Sequence, residues 1–372
     1  MRILWQSCHP QMPTGYANQS RVWLPRLRDA GHDLAVACTA GAVRYDTTWQ
    51  GITVYGRSPF TDAGEDLSRL RYDQHQADLA ITLCCPWVLH GQVWREMRTI
   101  HLMPVDCEPL SYRDYKLLSE GGGQPAAVSR FGEKTLRARG LDPLYLPHGT
   151  DTAFWRPPED RDALRAANGI TARFVVGINA NNSDTADRKA LFEQMAGFAR
   201  FHRRHRDAVL ALHTMAAAPD GMHLHAIADQ LGITGAVVFS DQARYISAGI
   251  ADEQLRDWYG SLDVLLACSR GEGYGLPIAE AQACGTPVIT MGWSSGPELA
   301  GPGWTVSGQE EWNEVHHARW HVPYISSITR RLEEAYTGAA GRRGDARQFA
   351  ADHLDADRAF AEHWKPVLDE LS

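Results

Sequence analysis

Lysine is nearly missing from this chain: of 37 basic residues only Lys116, Lys134, Lys189 and Lys365 are lysines, the rest being arginines. Positive charge is outnumbered too, since 45 acidic residues bring the formal net charge to −8 and no basic block or stripe appears. That argues against nucleic acid as the principal ligand, which needs a clustered cationic face. Paired cysteines are also lacking. Cys8, Cys38, Cys84, Cys85, Cys107, Cys268 and Cys284 form no CxxC pair and no Cys/His spacing suited to zinc. Most lie in apolar runs, where a free thiol behaves as a small hydrophobe, and a reducing, cytoplasmic setting is the expectation. Long apolar runs are absent as well. Leu262–Cys268 falls far short of the roughly 20 residues that cross a bilayer, and the opening MRILWQSCHPQMP holds too short an apolar run for a secretion signal. A soluble, intracellular chain with no transmembrane segment is therefore expected. The arginine bias, with abundant Ala, Gly and Asp, suggests the coding habit of a GC-rich bacterium and carries no mechanism.

What is present is an alternation. At 372 residues the chain exceeds what one core usually serves, so two domains are expected. Met1–Gln6, Asp33–Cys38, Leu79–Leu83, Thr99–Pro104, Pro125–Val128 and Leu144–Leu146 read as buried strands. Gly15–Ala30, Pro86–Met97, Arg113–Ser119 and Arg130–Arg139 read as helices between them. Ser129 is an N-cap for the last helix and Gly140 its stop. After Pro147–Asp162, which has three prolines and no period and reads as a linker, the pattern restarts. Strands are expected at Phe174–Ile178, Val209–His213, Val237–Phe239, Val264–Ala267 and Pro287–Thr290. Helices are expected at Arg188–His205, Met222–Leu231, Glu253–Ser261 and Pro277–Cys284. Continuous apolar strands alternating with helices indicate parallel sheets covered on both faces. The boundaries read as 1–153 and 154–354, with a helical tail at about 355–372. Ligands of such sheets sit at the carboxyl ends of the strands, which for two domains points to the cleft between them.

The most informative segment is SRGEGYGLPIAEAQACGTPVI, Ser269–Ile289. It follows an apolar strand, turns on Gly271, Gly273 and Gly275, and enters a helix at Pro277. Glycines before a helix that starts with proline expose backbone N–H groups, which together with the helix dipole suit an anionic oxygen. Glu272 stands in the turn and Glu280 eight positions later, and each carboxylate can accept two hydrogen bonds from a vicinal diol. A second segment, Val175–Phe201, ends a strand in an Asn- and Ser-rich loop and then presents Arg188 and Lys189. Two cations at a helix start oppose its dipole unless an anion answers them, and a diphosphate is the obvious anion. A third, His9–Arg21, places Thr14, Gly15 and Tyr16 in the turn after the first strand. A fourth, Met103–Pro109, puts Asp106 and Glu108 at the edge of a buried strand.

The Ser269–Ile289 segment resembles the E-x7-E signature of the retaining glycosyltransferases of family 4, and further matches occur at Pro13–Tyr16, Val128–Gly132, Pro147–Asp151 and Arg188–Lys189. The resemblance implies the GT-B architecture: two tandem, doubly wound, Rossmann-like α/β domains facing across a cleft, with the helix at about 355–372 packing back on the N-terminal domain. It also implies a hexosyl- or related transferase using a nucleoside-diphosphate-sugar as co-substrate. Carried over by position, Glu272 faces the donor sugar, Glu280 the nucleotide ribose, and the amides of Gly273, Tyr274, Gly275 and Leu276 touch sugar and diphosphate. Gly15 and Tyr16 match the loop that approaches the donor from the N-terminal domain, with Ala17 where a second glycine is usual. Lys189 matches the family lysine. Ile178 follows Gly177 where the family usually has an arginine, and Arg188 stands as its substitute. Asp106 occupies the region of the family's histidine, with a general-base or sugar-orienting role. His148 lies in the hinge, where a structural hydrogen bond is expected, and His202 and His205 read as solvent-facing. On this reading Glu272→Gln lowers turnover and leaves nucleotide affinity nearly unchanged, whereas Glu280→Gln weakens the nucleotide.

With cations and amides at the diphosphate, no metal and no bound cofactor are expected, and no DxD pair stands at a strand end. Retention of configuration follows from the resemblance alone. The acceptor, a small molecule or glycan, is not legible, although Trp5, His9, Tyr16, Trp87, Asp106 and Glu108 could line a polar pocket for a ring. Two alternatives are carried: a nucleotide-sugar epimerase of the same fold, and a non-catalytic binding protein that kept it.

Overall fold

The structure, a computed structural model, describes residues 1–372 apart from 42–44, 59, 62, 184–185 and 248. The chain divides into two compact units, Met1–Gly149 with Trp312–Arg319 and Ala356–Ser372, and Thr150–Glu311 with Trp320–Asp355.

Unit 1 is built on strands β1 (Arg2–Ser7), β2 (Asp33–Cys38), β3 (Thr47–Trp49), β4 (Ile52–Tyr55), β5 (Leu79–Leu83), β6 (Thr99–Met103), β7 (Gln124–Ala127) and β8 (Leu144–Tyr145), with helices α1 (Gly15–Asp29), α2 (Ser68–His75), α3 (Tyr112–Gly121) and α4 (Arg130–Ala138). The sheet order is β3-β4-β2-β1-β5-β6-β7-β8. Among the described residues every strand pairing of this sheet is parallel except β3 with β4. All residues of β5 and β6 are buried, as strands covered on both faces must be. The β3–β4 hairpin and α2 were not anticipated. The hairpin turns on Gln50 and Gly51, both at positive φ, the two-residue geometry that matches strand twist. The helix expected over Pro86–Met97 is instead two short 3₁₀ turns, Pro86–Val88 and Gly91–Trp94. At Gly91 the backbone lies against α3 so closely that a Cβ would meet Gly121 N at 2.7 Å, which fixes the segment by contact and not by helical pitch.

The last residues belong to unit 1. Helix turns α14 (Ala356–Ala359) and α15 (Lys365–Leu371) flank a π turn that carries Trp364. That indole is fully buried, stacks on Trp23 at 4.7 Å, tilts over Trp5 at 6.3 Å, and donates through Nε1 to Pro147 O at 3.1 Å. Arg26 pairs with Asp357 at 2.8 Å nearby. Trp5 is thus core, its own Nε1 bonded to Ser20 Oγ at 2.9 Å, and not the lining of a pocket. Segment 312–319, expected in the second domain, goes with unit 1, where Arg319 and Glu108 exchange two backbone hydrogen bonds of 2.9 and 3.3 Å.

Unit 2 holds a second parallel sheet, β11-β10-β9-β12-β13-β14, from β9 (Phe174–Asn179), β10 (Ala208–His213), β11 (Val237–Phe239), β12 (Val264–Ala267), β13 (Val288–Met291) and β14 (Trp304–Val306). A two-stranded sheet, β15 (Gly308–Asn313) with β16 (Ala318–Pro323), follows, its residues 312–319 being those counted with unit 1. Helices α5 (Arg161–Ala167), α6 (Leu191–His202), α7 (Leu224–Gln230), α8 (Gln242–Ser247), α9 (Asp252–Ser261), α10 (Leu276–Ala283), α11 (Gly296–Leu299), α12 (Ile325–Gly338) and α13 (Arg343–His353) complete it. His202 and His205, read as solvent-facing, pack inward. His202 stacks on Phe198, and His205 stacks on Phe201 and bonds Glu333 at 2.7 Å. At the amino end of β12, Asp263 accepts from Arg161 at 2.7 Å, from Arg165 at 3.1 Å and from Val175 N at 2.7 Å. Arg343 bonds the carbonyls of Gly260 and Leu262 that close α9, and burial lowers its guanidinium to about 10. Cations at a helix carboxyl terminus are favourable there. No helix among the described residues is long and apolar enough to cross a membrane.

Removing the buried indole by Trp364→Ala should cost roughly 3–5 kcal/mol, the range for large aromatic truncations. The measurement is a lowered urea midpoint followed by tryptophan fluorescence, and an unchanged midpoint would mean the tail contributes no stability.

Candidate functional site

In unit 2 the strand order reverses between β9 and β12, and ligands of doubly wound sheets bind outside the carboxyl ends of the strands at such a switch point. A small recess opens there, lined among others by Asn179 at the end of β9, Gln194 on α6, and Ser269, Glu272 and Pro277 beyond β12. The turn between β12 and α10 is tight because Gly275 has φ 113°, where a Cβ would meet Ile278 Cδ1 at 2.9 Å. Gly275 is also the N-cap of α10, and no side chain caps that helix. Its positive dipole end thus faces the turn that carries Glu272.

Glu272 is held from every side. Lys189 Nζ forms a very short contact with its Oε1, Arg188 Nη1 stands 3.7 Å from Oε2, and Ser269 Oγ donates to Oε1 at 2.6 Å. Burial alone would push its carboxyl up, but the Lys189 and Arg188 charges and the hydrogen bonds outweigh it and hold the group at about 2. Its main chain is braced as well: Glu272 N donates to Ser294 Oγ at 3.1 Å, and Ser295 Oγ donates to Glu272 O at 3.0 Å and to Tyr274 O. Ser295 is fully buried.

Arg188 and Lys189 do not open α6 as expected. Ala190 adopts a left-handed conformation (φ 49°), so the helix starts at Leu191 and both cations lie in the preceding loop. Asp187 supplies the cap, accepting from Leu191 N at 2.8 Å and Phe192 N at 3.0 Å. Burial pushes the Asp187 carboxyl up to about 6 against those two amides. The cations are therefore outside the first turn of α6 and are answered by Glu272 and its turn: Arg188 Nη1 donates to Gly271 O at 2.8 Å, and Arg270 N donates to Arg188 O at 2.8 Å. Gln194 secures the loop, donating to Lys189 O at 2.7 Å while accepting from Cys268 N at 3.1 Å. Asp184 and Thr185 of the loop after β9 lie outside the described residues.

Glu280 sits on α10, four per cent exposed, and accepts from Tyr259 Oη at 2.9 Å. Asn179 Nδ2 donates to the same hydroxyl at 2.7 Å, so a chain of polar groups runs from the end of β9 to Glu280. Burial, reinforced by the Glu280 charge, raises the Tyr259 phenol well above its ordinary value.

The remaining candidates belong to unit 1. Gly15 is the first residue of α1, whose cap Thr14 accepts from Ala17 N at 3.2 Å. Tyr16 Oη meets Cys85 Sγ at 3.1 Å, and Ala17 is fully buried. Asp106 follows β6, half-buried beside the buried Asp114. Burial pushes Asp114 up to about 7, a hydrogen bond with Ser111 opposes, and the Asp106 charge adds to the rise. His148 is buried and burial holds its imidazole down to about 3, a neutral ring. The structure thus joins Arg188 and Lys189 to Glu272 directly and sets Gly273, Tyr274, Gly275 and Leu276 in the same turn, with Glu280 further along α10 on separate partners, while Gly15, Tyr16 and Asp106 belong to the other unit. Ser269, Ser294, Ser295, Gln194, Tyr259 and Asp114 were not singled out from sequence. Only the Ser-x-x-Glu spacing of Ser269 and Glu272 could have signalled one of them.

Two doubly wound parallel units of this kind define the GT-B fold. Over 99% of its length the chain aligns with sucrose-phosphate synthase from Thermosynechococcus elongatus, covering 98% of that chain with a TM-score of 0.78 and 16% identity. It aligns equally, over 99% of its length and 100% of the other chain, with Anabaena HepE solved in complex with UDP-glucose, at a TM-score of 0.72 and 16% identity. At such identities the likeness is one of fold. In sequence, residues 189–315 match the model of the family described as glycosyl transferases group 1. The D-inositol 3-phosphate glycosyltransferase of Streptomyces bingchenggensis is 28% identical over 167 residues, 42% of this chain and 35% of that protein. The MMP alpha-(1->4)-mannosyltransferase of Mycolicibacterium hassiacum is 32% identical over 157 residues, 42% of this chain and 33% of that protein. The chain therefore covers about a third of the length of these curated relatives.

A depressed carboxyl stabilises the fold above its unfolded value of about 4.3, and that contribution fades as the pH falls through about 2. Lys189→Met should raise the Glu272 pKa, because burial then meets less opposition, and the acid loss tied to Glu272 should shrink. Carboxyl chemical shifts of 13C-glutamate-labelled protein, with urea midpoints between about pH 5 and 3, read both effects. An unchanged Glu272 titration would remove Lys189 as the cause.

Proposed function

We propose that this chain transfers a sugar from a nucleoside-diphosphate-sugar to a hydroxyl or amine of an acceptor, with retention of configuration and without a metal ion. The observation that carries the reading is the arrangement around Glu272: a lysine and an arginine meeting a glutamate at the uncapped start of α10, with Glu280 on the same helix.

Glycosyl transfer builds negative charge on the departing diphosphate while the sugar becomes cation-like. Preorganised charge aimed at the leaving group is the largest single contribution an enzyme can make. Lys189, Arg188 and the amides of Gly273–Leu276 supply it here. Glu272 accepts sugar hydroxyls and Glu280 the ribose diol, each role carried by its position in the E-x7-E pattern. Asp106 takes the general-base or sugar-orienting role that the resemblance gives it. The matched glycosyltransferase family model and the relatives named above support the transferase reading. Membership of family 4 and the retaining outcome rest on the motif. A bacterial, cytoplasmic setting is supported by seven free cysteines and by bacterial relatives.

The test has two stages. UDP, GDP, ADP and dTDP are screened by thermal shift, where stabilisation grows as RT ln(1 + [L]/Kd), and matching nucleotide-sugars are then assayed for nucleotide release with and without EDTA. Turnover should survive chelation, and the new anomeric centre should keep the donor's configuration by NMR. Lys189→Ala should lower kcat about 10²–10³-fold, the scale of one lost charge-stabilising group. Glu280→Gln should weaken the bare nucleotide by about tenfold, the worth of one charged hydrogen bond. A rate abolished by EDTA and restored by Mg²⁺ would defeat the metal-free account.

A further inference from the structure

We propose that Glu272 is an internal competitor for the site's own cations, so that it weakens the hold on bare nucleoside diphosphate and makes the site prefer a sugar-bearing donor. The inference rests on the proposed function and concerns what Glu272 does when no sugar is present.

The carboxylate occupies the two cations that a phosphoryl oxygen would also seek. Oε1 meets Lys189 Nζ and takes the Ser269 hydroxyl at 2.6 Å, while Oε2 lies 3.7 Å from Arg188 Nη1. The side chains are largely enclosed, with 16% of Lys189 and 18% of Glu272 exposed, so this is not a solvent-screened surface pair. Two neighbouring cations beside a positive helix end repel one another and attract any anion. Among the described residues the anion that meets them is Glu272.

A diphosphate that takes Lys189 must displace the carboxylate, which then loses its charged partner in a setting where burial disfavours its ionised form. A bare nucleotide offers it nothing in return and adds like-charge repulsion. A sugar offers hydroxyl donors, to which a freed carboxylate can turn. The same residue therefore penalises the spent nucleotide and rewards the loaded donor, which speeds product release after transfer. Specificity of this kind arises from a repulsive element as much as from an attractive one. On the resemblance alone, Glu272→Gln would leave the affinity for bare nucleotide nearly unchanged; the ion pair reverses that expectation.

Calorimetry on the full chain decides it, using UDP, GDP, ADP and dTDP with wild type, Glu272→Gln and Ser269→Ala. For whichever nucleotide binds wild type, Glu272→Gln should tighten binding about 5–20-fold, the scale of one charge-assisted contact released from competition. Ser269→Ala keeps the charge but loosens its seat, and should tighten binding by about 2–4-fold. Should Glu272→Gln fail to fold, the serine variant carries the decision. Equal or weaker binding by the folded variants, with wild type still binding, overturns the competitor role and leaves the proposed function standing. No binding of any of the four nucleotides by wild type or variants overturns the proposed function, and this inference with it.

Discussion

The contact between Lys189 and Glu272 is the tie on which the candidate site of unit 2 depends. It joins the loop that leaves β9 to the turn that leaves β12, the two strands between which the sheet reverses direction. Neither partner would be tolerable alone. An enclosed lysine without an anion, or an enclosed carboxylate without a cation, pays the full desolvation of its charge. Together with Arg188 and Ser269 they satisfy one another, and Glu272 stays ionised despite burial that favours the neutral acid.

Around this pair the backbone is arranged so that it cannot drift. Ser294 and Ser295 grip the Glu272–Tyr274 main chain from the loop after β13, Arg188 holds Gly271, and Gln194 bridges the cation loop to Cys268. The bonds to Cys268 N and from Ser295 to Tyr274 O are buried, so the penalty for losing either exceeds its net worth when formed. Glu280 depends on a separate network through Tyr259 and Asn179. The two glutamates therefore share a segment of sequence but not a set of partners, which is the physical basis for giving them different tasks.

Unit 1 shows the same economy with apolar means. Trp364, from the far end of the sequence, fills the space between Trp5 and Trp23 and finds its one polar partner in the Pro147 carbonyl. Charged residues at the amino end of β12 in unit 2 do comparable work, where three arginines converge on Asp263 and the carbonyls that end α9.

Much of this was legible before any coordinates. Parallel strands buried on both faces must be continuously apolar, so β1, β2, β5, β6, β9 and β12 announced themselves, and Glu272, Glu280, Arg188 and Lys189 stood out because glycines, a helix-starting proline and charged residues at strand ends have few other uses. The short β3–β4 hairpin escaped because three residues on one side and four on the other are too few to show a period, and Pro86–Met97 misled because its apolar spacing fits a helix that the Gly91–Gly121 approach forbids. The left-handed Ala190, which moves both cations off α6, leaves no trace in composition. Nor do Ser294, Ser295, Gln194 and Tyr259, whose importance lies in partners some 20 to 80 residues away. Local sequence determines what a segment can bury and where it must turn. Which charges meet is decided only when the strands are laid side by side, because an ion pair or a hydrogen bond is a relation between positions and no single stretch of chain contains it.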